Sequence, residues 1–171
     1  MKKLVLIFTI TLSVMFSKNT NAQGTIVDVA AGNKDFSTLV TALKAADLVS
    51  ALQGDGPFTV FAPTNDAFAK IDAETLNSLL EEKNQKVLAN ILTYHVISGK
   101  LAATDVVAAL DKGNGSIELK ALNGELISVM QKDGKIWLKD SNKNYSEITA
   151  TDVMGSNGVI HVINTVVMPK K

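Results

Sequence analysis

The most informative part of the chain is a run of apolar, proline and helix-capping residues, Pro57-Phe58-Thr59-Val60-Phe61-Ala62-Pro63-Thr64-Asn65-Asp66-Ala67-Phe68. Its first half is β-branched and aromatic and is bounded by two prolines, which predicts a short strand from Phe58 to Ala62. Because side chains alternate across a strand, Phe61 must point away from Phe58 and Val60. Both faces are therefore apolar, which predicts a central strand covered on both sides. Thr64 can then cap a short helical turn.

Amphipathic helices are predicted on both sides of this strand. Upstream, a helix capped by Asp35 has apolar residues at the spacing of one buried face, namely Phe36, Leu39, Val40 and Leu43. Downstream, the interval from Asn84 to Ile97 carries another apolar stripe, made of Val87, Leu88, Ile91, Leu92 and His95. Thr104 can cap a further short helix that runs to Leu110.

The second half of the chain changes to the period of β-strands. Short apolar runs at 117–122, 126–131 and 136–139 are separated by Asn123-Gly124 and Asp133-Gly134, dipeptides that signal tight hairpins because they tolerate positive φ. A last strand is predicted from Val159 to Met168. Helices first and antiparallel strands later, with one early strand, indicate an α+β domain.

A two-residue loop at Asp133-Gly134 also fixes the pairing of the strands that it joins. It places four pairs opposite each other: Lys132 and Lys135, Gln131 and Ile136, Met130 and Trp137, Val129 and Leu138. Met130 and Trp137 would then share one face of the hairpin.

Three segments, in this order and spacing, resemble the fasciclin domain family. The first is the run from Pro57 to Phe68. The second reads Leu92-Thr93-Tyr94-His95-Val96-Ile97-Ser98-Gly99-Lys100, and the third begins Asn157-Gly158-Val159-Ile160-His161-Val162-Ile163 and continues to Met168-Pro169. The resemblance covers roughly Thr25 to Pro169.

The resemblance implies a fold and a class of function. The fold would be a fasciclin-like α+β wedge of two β-sheets with a group of helices packed along one edge, in which the first and third segments form neighbouring central strands. Fasciclin-like domains occur in secreted and surface proteins, usually in adhesion or matrix binding. The expected function is therefore a non-catalytic adhesion or cell-surface interaction module.

The resemblance also gives partner-binding candidates, because animal members of the family use their tyrosine-histidine region to engage integrins. The matching positions here are Leu92, Tyr94, His95 and Ile97. The residues themselves allow a structural alternative, in which His95 extends the apolar stripe as a hydrogen-bonded core histidine and Tyr94 buries its ring. We favour the structural alternative, since apolar flanks are also what a buried helix end requires.

Sites for catalysis or metal binding are not predicted. Metal or proton-transfer chemistry would require His95 and His161, the two histidines, to converge with a carboxylate. The segment from Asp140 to Asn144 resembles the start of a calcium loop, but Tyr145 stands where that loop requires glycine. No hydrolase, metalloprotease or nucleotide-binding motif is present in the sequence. We expect no enzymatic activity and no cofactor.

Composition excludes further classes of function. The chain has no cysteine, so it has neither a disulfide framework nor a thiolate metal site. It also has no arginine, and after removal of residues 1–22 it carries 14 lysines against 17 acidic residues. Such a chain lacks the basic footprint of a nucleic-acid reader. The expected partner is an unknown surface protein or a polysaccharide.

The first 22 residues have the pattern of a secretory signal peptide. Lys2 and Lys3 precede an uncharged apolar run of 13 residues, from Leu4 to Phe16, and small residues lead up to a predicted cleavage after Ala22. The run is shorter than the roughly 20 residues that a membrane span needs. We expect a mature chain of residues 23–171 that forms one fasciclin-like domain, periplasmic or extracellular, with no membrane insertion.

Two classes of function remain open from the sequence. The first is the interaction module. The second is a small-ligand carrier or an enzyme that uses a pocket between the helices and the sheet. A deep apolar pocket with converging polar groups would favour the second, and a shallow surface would favour the first.

Overall fold

The computed structural model of the protein describes residues 24–170, so the predicted signal peptide lies outside the described residues. A seven-stranded sheet forms the centre of this part. Its strands are β1 (Phe58–Pro63), β2 (Val96–Ser98), β3 (Ser116–Lys120), β4 (Leu126–Lys132), β5 (Lys135–Lys139), β6 (Tyr145–Gly155) and β7 (Gly158–Ile163). Their spatial order is β2-β1-β7-β6-β5-β4-β3.

The two ends of the sheet nearly meet. Ile97 in β2 forms an antiparallel bridge with Ala121, just beyond β3, and the Leu122 N–H donates to the Val96 carbonyl at 2.8 Å. The long strand β6 belongs to both halves, since it begins beside β5 and ends beside β7, with shifts of register around Ala150. The nearly closed sheet has the shape of a wedge. The predicted α+β wedge with packed helices is confirmed.

Seven α-helices accompany the sheet in the described part of the chain. They are α1 (Ile26–Ala31), α2 (Ser37–Ala45), α3 (Val49–Leu52), α4 (Asn65–Phe68), α5 (Ala73–Leu80), α6 (Gln85–Tyr94) and α7 (Ala103–Lys112). Apolar residues of α1 to α6 pack in one cluster against one side of β1 and β7. Val106 and Leu110 of α7 belong to a second cluster, inside the wedge, with Ile127 and Val129 of β4.

The strands of the first and third segments are neighbours, as expected. Strand β1 pairs in parallel with β7, and Phe61 stands beside His161. Val60 packs in the helix-side cluster, whereas Phe61 points into the wedge. The prediction that β1 is covered on both faces is therefore confirmed.

The hairpin at Asp133-Gly134 has the predicted register, including Met130 opposite Trp137. Both loop residues have positive φ, 54° and 75°, as a tight two-residue hairpin turn requires. The Asn123-Gly124 hairpin differs, because the Ala121 N–H donates to the Glu125 carbonyl at 2.8 Å and leaves a three-residue loop.

Several predicted boundaries are wrong at the helix starts. Asp35 does not cap α2 as predicted. A short 3-10 turn, Lys34–Phe36, precedes the helix, and the capping residue of that turn is Asn33, whose side chain accepts from the Asp35 N–H. Helix α7 begins at Ala103, one residue before the predicted cap Thr104, and the Asp105 carboxylate accepts from the Ala102 N–H at 3.0 Å.

Two predicted elements also end earlier than expected. Helix α6 stops at Tyr94, and a new strand follows at Val96. The last strand ends at Ile163 and not at Met168, because the N–H groups of Val167 and Met168 donate to side chains instead of to a neighbouring strand. Helices α1 and α5 were not predicted from the sequence.

Candidate functional site

The tyrosine-histidine segment lies where α6 turns into β2, and its side chains face inward. The four partner-binding candidates Leu92, Tyr94, His95 and Ile97 are all less than 5% exposed. Contact between these side chains and a partner would require this turn to open. Binding by these residues stays a prediction, and their geometry points to a structural role.

His95 is hydrogen-bonded at both ring nitrogens. Its Nδ1–H donates to the Ile91 carbonyl at 2.8 Å, and its Nε2 accepts from the Val167 N–H at 3.2 Å. Burial lowers the pKa of His95 to about 4, against the opposing effect of the Ile91 carbonyl. The ring is therefore neutral at physiological pH and joins α6 to the C-terminal segment.

Tyr94 makes a similar connection on the opposite side of the turn. Its hydroxyl donates to the Leu126 carbonyl at 3.0 Å and accepts from the Ser141 N–H at 3.2 Å. Burial raises the pKa of this phenol. Tyr94 thus holds α6 to β4 and to the loop that follows β5, as a buried tyrosine with both hydrogen-bonding capacities in use.

The two histidines serve separate contacts. His161 on β7 donates from Nε2 to the Leu101 carbonyl at 2.7 Å, and its ring lies 5.9 Å from that of Phe61. Its buried Nδ1 has no hydrogen-bond partner within residues 24–170. Among these residues, no three histidine or acidic side chains are grouped so that they could hold a metal ion.

The loop at 140–144, which resembles the start of a calcium loop, is held together by hydrogen bonds to the Asp140 carboxylate. Asp140 is buried, and its Oδ1 accepts from the N–H groups of Asn142 and Asn144 at 2.9 and 2.8 Å. Its Oδ2 accepts from the Met168 N–H at 3.0 Å. The carboxylate therefore organises the loop and fastens the C-terminal segment to it.

An exposed surface is available on the opposite side of the same sheet. We use the term outer face for the alternate residues of β3 to β6 that point away from the wedge interior: Ser116, Glu118, Lys120, Leu126, Ser128, Met130, Lys132, Lys135, Trp137, Lys139, Tyr145 and Glu147. Their partners on the inner side, such as Val129 and Leu138, are fully buried. Helix α7 packs on that inner side, so the outer face is free of it.

Two aromatic residues lie on the outer face: Trp137, partly exposed, in the middle of β5, and Tyr145, half-exposed, at the start of β6. Trp137 is paired with Met130 on β4 and with Glu147 on β6, and Tyr145 is paired with Lys139. Together with Met130, Lys132 and Asp133, the two aromatic residues line a depression of about 300 Å³. The sequence predicted only the Met130–Trp137 pair of this arrangement. Nothing in the sequence marked Tyr145 as its neighbour.

Two other depressions in the described part differ in character. An open groove of about 400 Å³, lined mainly by apolar atoms, lies between α5, α6 and the C-terminal segment, with Leu79, Val87 and Met168 among its residues. A polar cleft of about 480 Å³ lies at the turn between β6 and β7, where Asn157 lines it. The Asn157 amide is already bonded to the Ile26 N–H and to two carbonyls.

Comparison with known proteins assigns the family. A sequence model described as the fasciclin domain matches residues 34–169. The chain belongs to the fasciclin domain family. The match includes all three segments that first suggested the resemblance.

The fasciclin relatives include bacterial and animal proteins. Protein sll1483 of Synechocystis sp. is 50% identical over 150 residues, which are 88% of this chain and 76% of that protein. Immunogenic protein MPB70 of Mycobacterium bovis is 31% identical over 153 residues, with coverages of 86% and 70%. Transforming growth factor-beta-induced protein ig-h3 of Sus scrofa is 38% identical over 159 residues, which are 93% of this chain and 21% of ig-h3. The chain thus corresponds to a small part of ig-h3.

A solved structure agrees with the fasciclin architecture. The pair of FAS1 domains from the insect cell adhesion molecule Fasciclin I superposes with a TM-score of 0.72 and 20% identity, and the match covers 84% of this chain and 50% of that one. At this identity the likeness shows the fold alone. Within residues 24–170, no helix is long and apolar enough to cross a membrane.

Proposed function

We propose that this fasciclin domain is a non-catalytic interaction module that acts outside the cytoplasm and attaches to extracellular material. The observation that carries the proposal is the outer face, a sheet surface that helix α7 leaves uncovered and that carries Trp137 and Tyr145. Aromatic side chains that stay accessible in a folded protein are typical of binding surfaces.

The polar groups that first suggested chemistry support a binding role in preference to catalysis. Both ring nitrogens of His95 and both carboxylate oxygens of Asp140 are engaged in hydrogen bonds that hold the fold together. The Nδ1 of His161, which has no hydrogen-bond partner among residues 24–170, is buried and out of reach of a substrate. A general acid or base needs a proton-transfer atom free to reach a substrate. The domain thus uses these residues for architecture.

The proposed location follows from the predicted signal peptide at residues 1–22. Cleavage after Ala22 would release a chain that begins at Gln23. Mass spectrometry of the protein produced from the full chain in a bacterial host, separated into cytoplasmic, periplasmic and culture fractions, tests this. A mass of residues 23–171 outside the cytoplasm supports it, and an uncleaved cytoplasmic chain would contradict it.

The interaction role is tested by attachment. The processed protein is mixed with washed cell envelopes and with extracellular polymer from a bacterial culture, and the bound fraction is measured after sedimentation. The proposal predicts saturable retention on at least one of these materials. Recovery of all the protein in the supernatant, from both materials, would contradict it.

A small-ligand carrier remains the alternative class. The groove beside Val87 is the apolar depression that such a ligand would use, although it lies between two helices and the C-terminal segment and not between helices and sheet. Its lining contains few polar groups able to orient a ligand.

A further inference from the structure

We propose that the outer face binds an acidic polysaccharide, a sugar chain that carries carboxylate groups. Trp137 and Tyr145 would provide flat surfaces for the sugar rings, and the surrounding lysines would pair with the carboxylates. This inference rests on the proposed interaction function and names the partner class of the same surface.

Trp137 and Tyr145 are neighbours on the outer face, and we call this aromatic pair the platform. Trp137 is opposite Glu147 on β6, and Tyr145 is opposite Lys139 on β5. Trp137 and Tyr145 are therefore diagonal neighbours on the same face of two adjacent strands. Residues in this relationship are about 7–8 Å apart. The depression that they share opens to solvent. A sugar ring has an apolar C–H face that can lie flat on such a platform and polar edges that stay hydrated.

The charged groups of the outer face are predominantly basic, although Asp133, in the turn after β4, also lines the depression. The outer face contains four lysines and two glutamates, namely Lys120, Lys132, Lys135, Lys139, Glu118 and Glu147. One pair is internally neutralised, since Lys135 Nζ lies 2.8 Å from Glu147. This local excess of positive charge contrasts with the predicted mature chain as a whole, which has 14 lysines and 17 acidic residues. The surface complements a partner with negative charge.

Two lysines are placed to act beside the rings. Lys132 lines the same depression as Trp137 and Tyr145. The Lys139 ammonium lies 5.9 Å from the centre of the Tyr145 ring, within the range of a cation–π contact. The Lys139 ammonium thus lies over the Tyr145 ring, and Lys132 borders the depression. Both charges would be close to a carboxylate on a sugar that stacks beside them.

The composition of the surface disfavours a protein or a nucleic acid as the partner. Protein–protein interfaces are depleted in lysine, especially at their centres, whereas lysines surround this platform. Nucleic acids also stack on aromatic rings, but their recognition draws heavily on arginine, and the chain has none. A carboxylated sugar chain could both stack on the aromatic rings and pair with the lysines.

The test measures binding of the processed protein to polygalacturonate by isothermal titration at low salt, with uncharged dextran and single-stranded poly(dT) as comparisons. Substitution Tyr145→Ala removes a half-exposed ring, and Lys132→Gln removes one exposed charge. Each should weaken polygalacturonate binding, roughly tenfold for the ring as at a central interface residue. Added salt should weaken it further, because exposed charges are screened.

Matched controls come from a different surface. Val87→Ala and Lys86→Gln change an exposed apolar residue and an exposed lysine on α6, and should leave the affinity unchanged. Melting curves establish that each variant is folded. Equal binding of dextran, equal binding of poly(dT), no binding of polygalacturonate, or an unchanged affinity in Tyr145→Ala would each overturn the proposal. If the protein nevertheless sediments with envelopes or extracellular polymer, the interaction function stands and only the partner class is wrong.

Discussion

The backbone N–H of Val167 donates to Nε2 of His95 at 3.2 Å, across 72 positions of the sequence. A protonated imidazole carries hydrogens on both nitrogens and cannot accept this bond. The buried ring therefore joins α6 to the C-terminal segment only while it is neutral, and the stability of the fold depends on its protonation state.

Acid should destabilise the domain through His95. The folded pKa is about 4, below the ordinary value of 6.5, so below that ordinary value the unfolded chain binds a proton that the folded chain does not. Stability is fully present above the unfolded pKa and is lost as the pH falls toward the folded one. We expect a loss of about 2 kcal/mol between about pH 7 and about pH 5.

Urea unfolding of wild type and His95→Gln at both pH values isolates this effect. The variant should be less stable than wild type near neutral pH. It should lose less stability on acidification because it lacks the imidazole, and the loss that remains comes from carboxylates, which titrate in both proteins. Equal losses in the two proteins would exclude His95 as the cause.

Hairpin geometry was the part of the fold most accessible from the sequence. The Asp133-Gly134 turn fixes its register locally, because both residues adopt positive φ, and the Met130–Trp137 pair follows from it. The neighbouring position of Tyr145 could not be predicted in this way. It depends on the longer loop after β5, which is shaped by Asp140 and its bond to the distant Met168 N–H.

The candidate site was harder to predict from the sequence than the fold, because it depends on contacts between distant parts of the chain. The spacing of the apolar stripe in α6 predicted that Leu88, Ile91 and Leu92 are buried, and all three are. Val87, which the same stripe included, is instead 51% exposed. Burial of Tyr94 and His95 depends on partners that lie far away in the chain. The sequence therefore allowed both a binding and a structural interpretation of these two residues.

Replacing Val60 with Asp should prevent folding. Val60 lies in the helix-side cluster with Ile160, and an unpaired carboxylate there should cost more than about 3 kcal/mol. Val107→Asp, at a position 37% exposed on α7, is the control and should fold. Circular dichroism and gel filtration distinguish the two. A soluble, cooperatively melting Val60→Asp protein would show that β1 is not central.

Gly158 should resist even a single added methyl group. A Cβ at this position would lie 2.2 Å from the Phe58 carbonyl oxygen, because β1 and β7 approach closely there. We expect Gly158→Ala to destabilise the domain by about 1–3 kcal/mol or more. Gly32→Ala, whose Cβ would have its nearest neighbour at 3.4 Å, should melt close to wild type. Equal melting temperatures for the two variants would contradict the close packing of the two strands.

Asp140 should stabilise the domain without any metal. In Asp140→Asn, one carboxylate oxygen is replaced by an amide nitrogen, which cannot accept a hydrogen bond. At least one backbone N–H therefore loses its acceptor, which should cost about 1–3 kcal/mol. Asp133→Asn, in the exposed turn after β4, should cost little, since Asn-Gly suits the same turn. Thermal melting measures both. Calcium or a chelator should leave the wild-type curve unchanged, and a calcium-dependent rise would reveal a metal role for this loop.

The division between a structural tyrosine-histidine segment and a binding outer face is tested most directly by measuring stability and polygalacturonate affinity for two variants side by side. Tyr145→Ala should keep the wild-type melting temperature and lose affinity. His95→Gln should melt at a lower temperature and, measured where it is still folded, should keep wild-type affinity. The reverse result, with affinity lost in a folded His95→Gln protein and retained in Tyr145→Ala, would contradict this division and return the binding role to Tyr94 and His95.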